Sequence, residues 1–149
     1  MDIVMTLEKS ANATAAVARG VRPEQFDSPT PCAEWNVEQL MNHLIGSLEY
    51  FKARGEGHQA GPPQSAPPTS YDQTVQALQS AATATAAAWQ RPGALEQPID
   101  TGAGQMPGSA LATMALKPEA RQPNFGPEAQ APSGAPPIDR LAAFLGRHP

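Results

Sequence analysis

Cys32 is the only cysteine in a chain of 149 residues, so no intrachain disulfide can staple the fold, and the chain suits a reducing compartment. Positive charge is also short, with 10 Lys and Arg against 14 Asp and Glu and a net charge of −4. No basic stripe interrupts that balance, so there is no electrostatic reason to bind nucleic acid. Long apolar runs are missing throughout, and the first residues, Met1 to Lys9, lack the basic segment and unbroken apolar core of a secretory leader. The expectation is a soluble cytoplasmic protein with neither membrane nor nucleic acid as partner. At this length one domain with a modest core is expected over residues 1–149, and two are not. Proline and glycine, at 17 and 12 residues, are plentiful for a helical domain, but they cluster and so mark loops rather than general disorder.

One stretch organises the rest. Ser28, Pro29, Thr30 and Pro31 form a proline-stiffened approach to Asn36, a candidate N-cap, and Gln39 three residues later closes a capping box. Trp35 before the cap and Leu40 beyond it make a candidate hydrophobic staple. Val37, Leu40, Met41, Leu44, Leu48 and Phe51 then recur at steps of three and four, the spacing of one buried helix face. At about 100° per residue, His43 falls on the flank of that stripe, beside Leu40, Ser47 and Tyr50. A flank imidazole faces a neighbouring helix, where it can serve a metal shared between helices. On the residues alone a boundary histidine is the simpler reading, because one histidine cannot hold a metal.

The remaining elements follow in order. A first helix is expected from about Asp2 to Arg19, burying Val4, Leu7, Ala11, Ala15 and Ala18, with Gly20 as a left-handed cap. Val21, Pro23 and Phe26 are expected to pack the connector. Residues 55–69, rich in glycine, proline and glutamine, are expected to form a mobile loop, in which His58 is a solvated residue rather than a ligand. Ser70 and Gln73 repeat the capping box and open a third helix through about Trp89, with Val75, Leu78, Ala82, Ala86 and Trp89 inward and Trp89 as a core anchor. Gln97 to Gly108 is a loop with a short extended piece at Pro98 to Asp100, and its glycines lack phosphate-cradle spacing. A fourth helix starts at Ser109, and Pro118 is expected to stop it after about two turns. Residues 118–137 are expected to be irregular and proline-rich, and 138–146 to form a short amphipathic helix through Ile138, Leu141, Ala142 and Leu145. Cys32, flanked by proline and with no histidine beside it in sequence, reads as a structural thiol rather than a nucleophile.

The run from Thr30 to Val37 followed by Leu40, His43 and Gly46 resembles the N-terminal metal-binding domain of mycothiol-dependent maleylpyruvate isomerases, within the DinB-like superfamily. Pro92 to Leu95, Gly104 to Leu111 and Ile138 to Arg147 extend the resemblance over most of the chain, in the family order. It implies an all-α, DinB-like up-and-down four-helix bundle. It further implies a divalent metal, usually zinc-like, held by one histidine of the second helix and by an acid and a histidine of the fourth. His43 matches the first of these positions. The segment that would carry the other two is expected to be absent, because Ala115 to Pro123 runs directly into the family tail at Asn124 to Glu128. Glu119 follows a proline and His148 adjoins the chain end, so neither is expected to replace the missing donors.

Two functions follow as expectations. The first is a metal-dependent enzyme in which a divalent ion activates a thiol cofactor, mycothiol by resemblance, for transfer or isomerisation. The second is a catalytically silent, shortened relative whose uncovered helix faces favour homo-oligomer formation or partner binding. No catalytic residue is singled out beyond the candidate metal ligand His43.

Overall fold

The computed structural model describes residues 2–30, 35–102 and 104–116. Its helices are α1, Ile3–Arg19; α2, Val37–Gly55; α3, Tyr71–Gln90; and α4, Gly108–Leu116. Between α3 and α4 lies a two-stranded antiparallel hairpin of β1, Pro98–Asp100, and β2, Gln105–Pro107, in the register Pro98 to Pro107, Ile99 to Met106 and Asp100 to Gln105. The expected helical architecture is present, and the extended piece at Pro98 to Asp100 is one half of that hairpin.

Local chemistry explains where the helices start. Asp2 caps α1 through Oδ1, which accepts from the amides of Val4 and Met5 at 3.0 and 3.2 Å. The two anticipated capping boxes form, Asn36 with Gln39 and Ser70 with Gln73. Each satisfies first-turn amides that would otherwise lack acceptors. Gly20 departs from expectation. Its φ is −80°, ordinary right-handed backbone, because its amide donates back to Val17 at 3.0 Å and the chain leaves as a turn without a left-handed residue. Pro23 is exposed rather than packed, since it opens a single 3-10 turn on the surface.

α3 is the spine, packed against both α1 and α2. The Thr85 hydroxyl lies 2.8 Å from the carbonyl oxygens of both Leu48 and Ala81, and the Trp89 indole N–H donates to the Phe51 carbonyl at 3.0 Å. Later residues of α3 thus meet later residues of α2, so these helices run in the same sense. α1 runs the other way, because Tyr71 at the start of α3 donates to the Val21 carbonyl just past the end of α1. This refines the anticipated up-and-down order: α2 and α3 do not alternate, and residues 56–70 form the long crossover that a parallel pair requires.

Two apolar clusters result. One joins Ala11, Ala15 and Ala18 of α1 to Val37, Met41 and Ile45 of α2 and Leu78 and Ala82 of α3, closed by Val21. The other gathers Leu7, Trp89, Ala94, Ile99, Leu111 and Ala112, with the hairpin delivering Ile99 into it. Small residues allow close approach at the far end of α2, where a Cβ on Gly55 would stand 3.0 Å from that of Ala88. Trp89 is 1% exposed and anchors the second cluster as anticipated. The irregular segment expected over 118–137, the short helix expected over 138–146 and the end of the fourth helix at Pro118 lie outside the described residues.

Candidate functional site

The approach to α2 folds back on itself. Pro29 and Asn36 pair as an antiparallel bridge, and the amides of Val37 and Glu38 donate to the carbonyls of Ser28 and Phe26, each at 3.0 Å. The Thr30 hydroxyl donates to the Trp35 carbonyl at 2.6 Å. Phe26 then meets the Tyr71 ring edge to face at 5.7 Å, tying the approach to the start of α3. These bonds fix the residue immediately before the cap, and that residue is Trp35.

The indole does not simply staple the first turn. Its ring centroid lies 4.5 Å from that of His43 at an interplanar tilt of 38°, one turn beyond the anticipated partner Leu40. His43 is half-buried on the flank of α2, as its angular position requires. Desolvation holds its imidazole below the usual histidine range, because burial penalises the charged form. The neutral ring this favours is the form that ligates metals.

The other candidate among the described residues, His58, is not brought to it. His58 is exposed and its Nδ1 lies 3.4 Å from the Glu56 carboxylate, on the crossover. Among the described residues no group of three or more His, Cys, Asp or Glu side chains is placed to hold a metal ion. Cys32, Glu119 and His148 lie outside the described residues. His43 is therefore one donor where a catalytic zinc takes about three, and the described residues do not by themselves fit such a centre.

The structure adds residues that periodicity did not single out. Along α2, Asn42, Gly46, Tyr50 and Arg54 stand four apart, and Asn42, Gly46 and Arg54 form the seat of the crossover. The Ala66 amide donates to the Asn42 carbonyl at 2.9 Å, and a Cβ on Gly46 would lie 1.7 Å from the Gln64 carbonyl oxygen, so chain and helix touch backbone to backbone. Arg54 reaches the Ala60 carbonyl and the Gln59 side chain at 2.6 and 3.2 Å. The stretch expected to be a loop over 55–69 thus begins one residue later and is seated on α2 at both ends. Asn42 and Arg54 are buried although polar, at 4% and 5% exposure. A lone glycine in mid-helix was the available clue, since such a residue often marks a close backbone approach.

Residues 7–143 match the family model described as mycothiol maleylpyruvate isomerase N-terminal domain. The chain is also similar to two uncharacterized proteins of Mycobacterium tuberculosis, Rv0738 and MT0763, each 29% identical over 185 residues covering 99% of this chain and 98% of the relative. That alignment is longer than the 149-residue chain, so the relatives carry positions this chain does not fill. No solved structure matches.

Proposed function

The chain belongs to the mycothiol maleylpyruvate isomerase N-terminal domain family, and from that premise we propose that it is a divalent-ion-binding helical domain of thiol-transferase or isomerase ancestry, with His43 as the ion's donor on α2. The supporting observation is the setting of the imidazole: half-buried, desolvated toward its neutral form and lying against Trp35 on a multiply bonded approach. A ligand needs an oriented ring in its neutral form, and this setting favours both. Zinc is the expected ion and mycothiol the thiol that the lineage suggests, in a cytoplasmic setting. A bound ion would act by lowering the pKa of such a thiol. No reaction step is assigned to it here, because one donor does not make a catalytic centre.

A second reading is favoured by the alignment that outruns the chain. In it the protein is a shortened, catalytically silent relative that acts by self-association or partner binding through its helix faces. Zinc content per chain after purification separates the two. Stoichiometric zinc that disappears in His43→Ala supports the first reading. Zinc-free protein, unchanged by His43→Ala, defeats it, and measurable thiol transfer defeats the second.

A further inference from the structure

Arg54 closes the last turn of α2, where a cation is favoured by the helix dipole. It is nevertheless buried without an anion. Its guanidinium lies over the Tyr50 ring at 5.1 Å from the centroid. One terminal nitrogen donates to the Gln59 Oε1 at 3.2 Å and the other to the Ala60 carbonyl at 2.6 Å. Nε is fully buried and has no hydrogen-bond partner among the described residues. No carboxylate pairs with Arg54 among the described residues, whose ion pairs are Arg22 with Glu24, Lys52 with Glu49 and His58 with Glu56.

A guanidinium is a rigid fork matched to two carboxylate oxygens, and burying it against neutral oxygens alone forfeits the charge-assisted bonds that offset desolvation. Both neutral acceptors come from adjacent residues of the crossover. Gln59 is exposed, so the cover over the guanidinium is one loop thick. The chain before it is fixed, with the His58 amide bonded to the Ala53 carbonyl at 2.9 Å, while space is open around the Cα of Gly61 just after it. None of residues 59–61 belongs to either apolar cluster.

We propose that Arg54, floored by Tyr50, is a binding site for small carboxylates, closed in this structure by the Gln59 and Ala60 carbonyl groups as stand-in ligands. A carboxylate takes bonds from Nε and a terminal nitrogen, and the 59–61 segment lifts. The site is independent of any ion at His43.

The test follows the Arg54 Nε–H resonance by proton–nitrogen NMR while malonate is added to the full chain, with chloride at matched ionic strength as control. A saturable downfield shift is expected, accompanied by the amides of residues 58–61 and not produced by chloride. Gln59→Ala removes a competing acceptor and should tighten malonate binding several-fold. Arg54→Lys keeps the charge but lacks the fork, and should abolish the malonate-dependent shifts of the residue 58–61 amides, the response read in that variant. An Nε–H that ignores malonate, unchanged or weaker binding in Gln59→Ala, or a response surviving in Arg54→Lys overturns the proposal. Should Arg54→Lys fail to fold, the wild-type and Gln59→Ala titrations decide it.

Discussion

The two sides of α2 are built on opposite rules. Toward α1 and α3 it presents Val37, Met41 and Ile45, all buried and all apolar, so packing is shared among many side chains. Toward the crossover it presents Asn42, Gly46 and Arg54, where one glycine admits a backbone and two buried polar atoms, Asn42 Oδ1 and Arg54 Nε, have no partner among the described residues. The apolar side is stabilised in proportion to area and yields by degrees. The crossover side depends on single contacts and fails at single residues, and unpartnered buried polar atoms reduce its stability.

Substitutions sharpen this contrast. Trp89→Ala, on the apolar side of the architecture, should cost about 3–5 kcal/mol in chemical denaturation, since it empties the second cluster and removes the bond to Phe51. Gly46→Ala should cost about 1–3 kcal/mol, although alanine is the better helix former by about 1 kcal/mol, because the added Cβ meets backbone that no rotamer can move. Its signature is local: the Ala66 amide should exchange faster with deuterium than those of α3. Wild-type stability and protection in Gly46→Ala would break the distinction between the two sides. Asn42→Leu should gain about 1 kcal/mol, since an apolar group of similar size removes an unsatisfied acceptor. A loss there would mean that the amide has a partner.

The smallest expected effect is the pH dependence of His43. Its folded pKa is depressed by desolvation, so the unfolded chain binds the proton more readily. The stabilising contribution is complete above the unfolded value of about 6.5 and declines as pH falls from there through the lower folded value. Half-exposure keeps the effect modest. Thermal melts between neutral and mildly acidic pH should show that decline in the wild type and less of it in His43→Gln. Equal slopes would place the imidazole in water and remove support for its role as a ligand.

Legibility in the sequence tracks the range of the interaction. The starts at Asn36 and Ser70 were readable because these residues act on amides within one turn of themselves, whereas Asp2, expected as the first helical residue, is the cap of α1. The flank position of His43 was readable from angle alone. Its contact with Trp35 was not, because the indole is aimed by bonds from Thr30, Ser28 and Phe26 rather than by the helix period. Ile45 escaped the apolar stripe because its burial depends on where α1 lies. Asn42 and Arg54 escaped it as polar residues, for the crossover covers them and its path after α2 is not set by the helix period.

The family, the helical architecture, the capped starts and the position of His43 were determined by the sequence by itself, through periodicity and side-chain chemistry that operate within a few residues. The shared direction of α2 and α3, the backbone seat at Gly46 and the enclosure of Arg54 were decided only by the tertiary structure. Each of these requires a helix to meet chain that lies outside it, and helix period and capping carry no term for where the chain goes once it has left the helix.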